Sequence, residues 1–505
     1  MSQWQSSARL APTVGFGTVD LAIVLLYLAG VTAFGAFFRR RQHSVHDYFL
    51  GGSDTHWLPL CLSIVATETS TLTIIGTPAL AYAGNLAFLQ LVFGYIVARF
   101  LISFLLLPQY FAGQLYTAYQ YIEQRFGALT RRLAAALFLV TRALADAVRL
   151  WAIAIVAQLL LPRVFERVTG RTLAVAELTA VLVVMALTLL YTYLGGMKAV
   201  IWTDVVQFIL YVAGGLFALV SLLQQIPGGW PTVLAHANLK FQILDFSFSL
   251  TTTYTFWAGL LGGTFLTLAS HGTDQLMVQR LLAARGLRDA QKALIVSGFV
   301  VFAQFLLFLV IGVLLYVYYG QVPPAYSLSP TDRVFPLYMV NQLPPGISGL
   351  MVAGVLAAAM STSSATLNSL AASTVMDFYQ PLRGGNESPA QTLRRSRWVT
   401  LVWGVLLIGL AMLARSWGPV LEAGLTIASI TYGALLGLFL LGRFSTSATP
   451  AGAAAGMLVG LAAMLCIKFF TPLAWTWYVL VGTTVTFTVG LGASQLLGRR
   501  TSTAP

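Results

Sequence analysis

The chain has 505 residues, 58% hydrophobic and only 9% charged, with a formal net charge of +13. This composition excludes an ordinary soluble core and describes a polytopic membrane protein in a lipid bilayer. The positive excess does not point to nucleic acid, because the basic residues sit in short loops between apolar runs, where they report topology.

Hydropathy gives thirteen candidate spans: 19–38, 56–80, 85–107, 133–161, 174–194, 200–223, 254–279, 291–319, 346–378, 396–415, 419–442, 450–470 and 473–497. The first is the leading span and the rest are spans 1 to 12. No small-residue cleavage site follows the leading span, which is therefore expected to stay in the membrane. Eighteen of the 29 basic residues fall on one side and eight on the other, while Arg99, Arg142 and Arg149 lie within spans. The richer side is expected to be cytoplasmic, with the N-terminus outside and the C-terminus inside an inner (cell) membrane. The loop 162–172 breaks this rule with three arginines outside. Nothing resembles an appended soluble domain, so residues 1–505 read as a single membrane-embedded domain. Cys61 and Cys466 lie in apolar segments and read as packing residues. Five scattered histidines give no metalloenzyme spacing, and no catalytic constellation is visible, so the chain does not read as an enzyme.

Span 1 is the most informative. Thr67–Thr73 holds four threonines, a serine and a glutamate, followed by Gly76 and Pro78. Pro78 deprives the Ile74 carbonyl of its helical donor, and clustered hydroxyls offer the backbone competing bonds. Freed backbone groups cost several kcal/mol each in lipid, so the stretch is expected to line a wetted, protein-enclosed cavity. Broken helices of this kind build mid-membrane sites in secondary transporters. Span 6, with GLLGGTFLTLASHGTDQ, shows a similar Gly-interrupted, hydroxyl-rich pattern in the corresponding place of a second half. Spans 1–5 (56–223) and 6–10 (254–442) then read as two five-helix repeats, with spans 11 and 12 (450–497) trailing.

Span 8 carries the second polar cluster, AAAMSTSSATLNS. Na+ is a hard cation that takes oxygen ligands, which hydroxyls and carbonyls supply without a buried formal charge. Ser361, Thr362 and the Ala358 carbonyl, facing the carbonyls of Ala66 and Thr69 in an unwound span 1, would supply five oxygens. The same hydroxyls also suit close helix approach alone, so the pattern leaves both readings open.

The chain resembles the sodium:solute symporter family, through DYFLGG at 47–52, ATETSTLT in span 1, YLGGMKAVIWTDVVQ at 193–207, GTDQLMVQR at 272–280 and STSSATLNSLAASTVMDFY at 361–379. The resemblance runs from Asp47 to about Gly442. It implies an all-α, LeuT-like five-plus-five inverted repeat, here with one leading and two trailing helices, and sodium-coupled symport of a small-molecule substrate. It also implies the common sodium site at Ala66, Thr69, Ala358, Ser361 and Thr362. A further sodium site found in some members matches Asp204 and Ser364. Ala365 stands where a second hydroxyl is expected, so Asp204 could equally be a carboxylate paired to a neighbouring helix.

Substrate contacts are expected from Thr73, Gln90, Thr267 and Ser270. In span 3, Arg142, Asp146 and Arg149 share one helical face and leave an excess positive charge there. Each charge at membrane depth costs at least ~2.5–3.5 kcal/mol. Arg149 matches an arginine that resembles the carboxylate clamp of the family's sialic acid symporters, and a guanidinium grips a carboxylate bidentately. The substrate is therefore expected to be an organic anion, such as a sugar acid or a small carboxylate. Glu68 is either a further ligand or the partner that neutralises Arg142 or Arg149. Arg99 is expected to snorkel to the surface. A lysine that sugar-transporting members place on span 7 is missing from 297–302, which weighs against a neutral sugar. Phe88, Trp151, Trp257 and Tyr432 read as packing residues or gates. The remaining alternatives are a sodium/sugar or other neutral-solute symporter and an uncoupled facilitator. Oligomeric state is not legible.

Overall fold

A computed structural model describes residues 16–37, 44–113, 115–169, 173–324, 327–383, 388–414, 417 and 420–501, with side chains undescribed at 36, 154–169, 173–177, 180, 420 and 497–501. The described residues are overwhelmingly helical. The leading span is α1 (Thr18–Phe37). A short helix, α2 (Val45–Leu50), follows, opened by a Ser44 capping box. Span 1 is split into α3 (Trp57–Glu68) and α4 (Thr71–Ala83). Span 2 is α5 (Leu89–Leu105), continued by the short α6 (Leu107–Ala112).

Spans 3 to 5 lie in two very long helices. Helix α7 (Ala118–Thr169) turns at Gly127, and α8 (Leu173–Gln225) carries spans 4 and 5, turning at Gly196. Both glycines have positive φ, which a side chain would resist. The loop expected at 162–172 is helical as far as Thr169. Its Arg163 and Arg167 side chains, and Arg171 itself, lie outside the described residues, as do Arg9, Arg39–Arg41 and Arg415.

After α9 (Gly229–Ala237), span 6 forms α10 (Gly263–Gly272) and α11 (Gln275–Leu282). Span 7 is α12 (Leu287–Gln321), followed by the short α13 (Val334–Asn341). Span 8 is α14 (Ile347–Ser373), which continues into the short α15 (Gln380–Arg383). Spans 9 to 12 are α16 (Pro389–Leu413), α17 (Val420–Phe444), α18 (Pro450–Phe470) and α19 (Tyr478–Thr501).

Each expected span coincides with a helix or part of one. By length and composition alone, nine described helices can cross a membrane, or ten if the bent α3–α4 pair counts as one span. The shortfall from thirteen has physical causes: α8 holds two spans in one helix, α7 is charged, and span 6 is broken into short pieces. Almost all of α14 is buried, whereas α1, α16, α18 and α19 leave most of their surface open towards lipid. The hydroxyl-rich helix thus lies at the centre. Cys61 is buried in the core as expected, but Cys466 is exposed on α18 and so is not the buried packing residue expected.

Candidate sodium and substrate site

Span 1 breaks at Thr69–Ser70, between α3 and α4, with a 61° bend. Thr69 has φ −82° and ψ 89°, and Ser70 has φ −90° and ψ 176°. The expected weak point, Pro78, instead lies inside α4. Pro78 removes one hydrogen bond, and its own carbonyl is packed so closely on Gly312 of α12 that a Cβ there would come within 2.3 Å. Packing therefore carries the helix through the proline, and the break falls on the hydroxyl cluster instead.

The break frees particular carbonyls. Ser70 N–H donates to the Glu68 carbonyl, and Thr73 N–H to the Ser70 carbonyl. The carbonyls of Ala66 and Thr69 thereby lose the i+4 donors that a continuous helix would give them. Facing them is α14: the Thr362 hydroxyl donates to Ala358 O at 3.1 Å and reaches Thr67 O at 3.4 Å. Beyond its helical bond, the second lone pair of Ala358 O is taken by the Thr362 hydroxyl, and turning that hydroxyl to Thr67 O would free it for a ligand. The structure thus sets the Ala358–Thr362 turn against the broken end of α3.

Asp204 on α8 is fully buried and fully engaged. It accepts from Ser361 Oγ at 2.6 Å, Ser63 Oγ at 2.6 Å and Thr67 Oγ1 at 3.4 Å, and pairs with Arg280 Nη2 at 3.0 Å. Arg280 Nε also donates to Ser63 Oγ at 3.1 Å. This network joins α3, α8, α11 and α14. Ser364 does not reach Asp204; its hydroxyl donates to Ser361 O at 2.9 Å.

Span 6 breaks not at its glycines but at Thr273–Asp274. Asp274 caps α11 through Leu276 N–H at 2.8 Å and accepts from the Tyr432 hydroxyl at 2.6 Å. The glycines serve close approach instead: a Cβ on Gly263 would lie 2.2 Å from Leu91 O of α5.

A cavity of ≈ 100 Å³ opens between the two breaks. Among the expected substrate contacts, Thr73, Thr267, Ser270, Glu68 and Arg149 line it, together with Arg142, His271, Phe88 and Tyr432. Gln90 does not. Its amide is buried and staples a loop, donating to Tyr254 O at 3.3 Å and accepting from Asp245 N–H at 2.9 Å. Neither Trp151 nor Trp257 lines the cavity; Trp151 is buried and Trp257 is exposed.

The charges pair differently from expectation. Glu68 pairs with Arg99, not with Arg142 or Arg149, and also lies 3.5 Å from His271 Nε2. Arg99 does not snorkel: it is fully buried and also bonds Ser297 and the Tyr95 carbonyl. Its five donors need internal acceptors, which α3, α5 and α12 supply. Arg142 sits 3.9 Å from both Asp146 and Asp274 and donates to Thr366 at 3.3 Å. Asp274 therefore offsets the excess positive charge expected on that face. Arg149 differs. Its nearest carboxylate, Asp146, is 3.9 Å away, and its buried Nε and Nη1 have no hydrogen-bond partner among the described residues.

Arg99, His271, Asp274 and Arg280 were not assigned to the site from sequence. The signal for Asp274 and Arg280 was there, since GTDQLMVQR has an N-cap aspartate after a glycine and ends in an arginine on a buried short helix. The partner of Arg99 has no such local sign.

The sodium:solute symporter family model matches residues 48–460. The chain belongs to the sodium:solute symporter family. It is 30% identical to the human sodium/iodide cotransporter over 92% of its own length and 71% of that protein. It is 28% identical to the sodium/sialic acid symporter SiaT of Proteus mirabilis over 92% and 93%. A solved structure of a Na+-coupled sialic acid symporter, substrate-bound and outward-open, superposes with a TM-score of 0.85 at 26% identity, covering 95% of this chain and 98% of that one. The symporter is thus a multi-pass, sodium-coupled transporter of a small solute and not an enzyme, and the fold implied by its motifs is borne out.

Proposed function

We propose that this symporter carries a small organic anion, a carboxylate or sugar acid, with sodium, and that Arg149 holds the carboxylate. The single observation that carries this reading is Arg149 itself, a cavity-lining guanidinium with two buried donors unmet. Unmet donors in a low-dielectric site favour a ligand that brings acceptors. Arg142 is the weaker choice, because Thr366, Asp146 and Asp274 already surround it. Iodide and sialic acid, named for two relatives, are both anions. Thr73, Thr267 and Ser270 supply neutral polar contacts to the substrate body.

Sodium binds at Ala66, Thr69, Ala358, Ser361 and Thr362. The freed carbonyls and the Thr362–Thr67 contact support this assignment. An ion there ties α3 to α14 and favours the substrate-competent state, so each ligand raises the affinity of the other. One sodium with a monovalent carboxylate makes the cycle electroneutral, so it forfeits the ~2.3 kcal/mol per 100 mV of membrane potential that one net positive charge would gain; a second sodium would restore it. Asp204, already paired with Arg280, is read as a structural carboxylate, and a second sodium at Asp204 and Ser364 is the lesser alternative. The two halves, 56–223 and 254–442, act as repeats within one domain in an inner membrane, with the N-terminus outside and the C-terminus cytoplasmic.

Uptake into proteoliposomes tests the reading. A panel of labelled small carboxylates and neutral sugars is offered under an inward sodium gradient and under an equal potassium gradient. Sodium-driven accumulation of a carboxylate supports it. Accumulation of neutral sugars alone removes Arg149 from the substrate site, and equilibration without a sodium gradient supports the facilitator.

A further inference from the structure

Thr69 occupies the break in span 1 with ψ 89°, far from the helical value near −42°, and its carbonyl is one of the two set free. Such a backbone angle needs a tether, because a polar carbonyl in a membrane interior gains by returning to a helical bond. The tether comes from α12. Gln304 is a lone amide in a long apolar run and is 4% exposed. Its Nε2 donates to Thr69 Oγ1 at 2.5 Å. Its Oε1 accepts from the Tyr211 hydroxyl of α8 at 3.4 Å. Neither Gln304 nor Tyr211 lines the substrate cavity. The chain Tyr211–Gln304–Thr69 therefore runs from α8 and α12 to the side chain of the residue whose carbonyl would face the ion.

We infer that Gln304 is a positioning residue for sodium: it fixes the Thr69 turn and so pre-sets the Thr69 carbonyl before the ion arrives. This rests on the reading of Thr69 as a sodium ligand. Gln304 does not touch the ion; it lowers the share of binding free energy spent on opening the helix. A site whose competent geometry is only partly populated binds with an affinity reduced by that fraction. Losing the tether should therefore weaken sodium binding while leaving the cavity's own contacts in place.

The test uses purified full-length protein and sodium chloride titrated against potassium chloride at constant ionic strength, reading the thermal unfolding midpoint. Gln304→Met and Thr69→Val should each raise the half-saturating sodium concentration about 3- to 10-fold, the worth of one buried hydrogen bond. The double variant should be no worse than either single, since both remove the same bond. A structural role alone would lower stability equally in sodium and potassium and leave the sodium midpoint where it was. That result, or effects that multiply in the double variant, overturns the inference. If Gln304→Met fails to fold, Thr69→Val alone decides by the same midpoint. Thr362→Ala separates the two levels. Should it shift the midpoint while Gln304→Met does not, only this inference fails; should neither shift it, the sodium site itself is misassigned.

Discussion

Two of the buried arginine–aspartate groups among the described residues of this symporter are built to opposite standards. In the first, Asp204 takes two hydroxyl bonds at 2.6 Å and an Arg280 bond at 3.0 Å, with both residues fully buried. In the second, Arg142 and Arg149 each stand 3.9 Å from Asp146 beside the cavity, and Asp146 Oδ2 and two nitrogens of Arg149 lack hydrogen-bond partners among the described residues. Buried charge is tolerable only when paired and hydrogen-bonded. The first group meets that condition by itself and locks four helices. The second meets it only when something else brings acceptors. Composition is alike in both; satisfaction is what separates a structural pair from a candidate binding group.

The largest effect should follow from breaking the first group. Arg280→Met leaves Asp204 buried without its cation, at a cost of about 3–5 kcal/mol. The expected outcome is loss of the monodisperse folded protein in size-exclusion chromatography. Removing both charges, with Asp204→Asn and Arg280→Met together, should recover much of the yield and retain a sodium response. A recovered fold with no sodium response would instead make Asp204 a sodium ligand.

The second group should respond differently. Arg149→Gln removes the carboxylate's partner, and charge-assisted bonds are worth about 1.5–3 kcal/mol. Carboxylate affinity should fall roughly 10- to 100-fold with expression little changed. Unchanged affinity together with lost folding would place Arg149 with Arg280 as structural.

Thr362→Ala tests the contact between α14 and the broken end of α3. Sodium half-saturation measured by uptake should rise, and apparent substrate affinity should fall with it through reciprocal coupling. A fall in expression with an unaltered sodium response would leave α14 a packing helix only.

The smallest effect belongs to Gln90→Ala. Because Gln90 staples the loop at Asp245 and Tyr254, its loss should cost about 1 kcal/mol of stability in thermal unfolding and leave substrate affinity within about twofold. A large affinity loss would return Gln90 to the pocket.

These contrasts also mark what the sequence could carry. Helix positions were legible because lipid imposes long apolar runs, and the meeting of a broken span 1 with the hydroxyl-rich span 8 was legible because clustered hydroxyls are costly in lipid without a purpose. The break itself was read through Pro78 and formed at Thr69–Ser70, since packing on Gly312 decides which weak point yields. The pairing of charges was not legible. Glu68 meets Arg99 across 31 residues and Asp204 meets Arg280 across 76, separations that local periodicity does not reach. Gln90 illustrates the same limit: a polar residue in a span can serve a loop as readily as a ligand.

The central claim is that the cavity takes an anion together with sodium. The most direct measurement is thermal unfolding of the purified protein across a panel of small carboxylates and neutral sugars, each in sodium and in potassium. The account predicts stabilisation by a carboxylate in sodium that is absent in potassium, and loss of that stabilisation in Arg149→Gln. Equal stabilisation in both cations would contradict it.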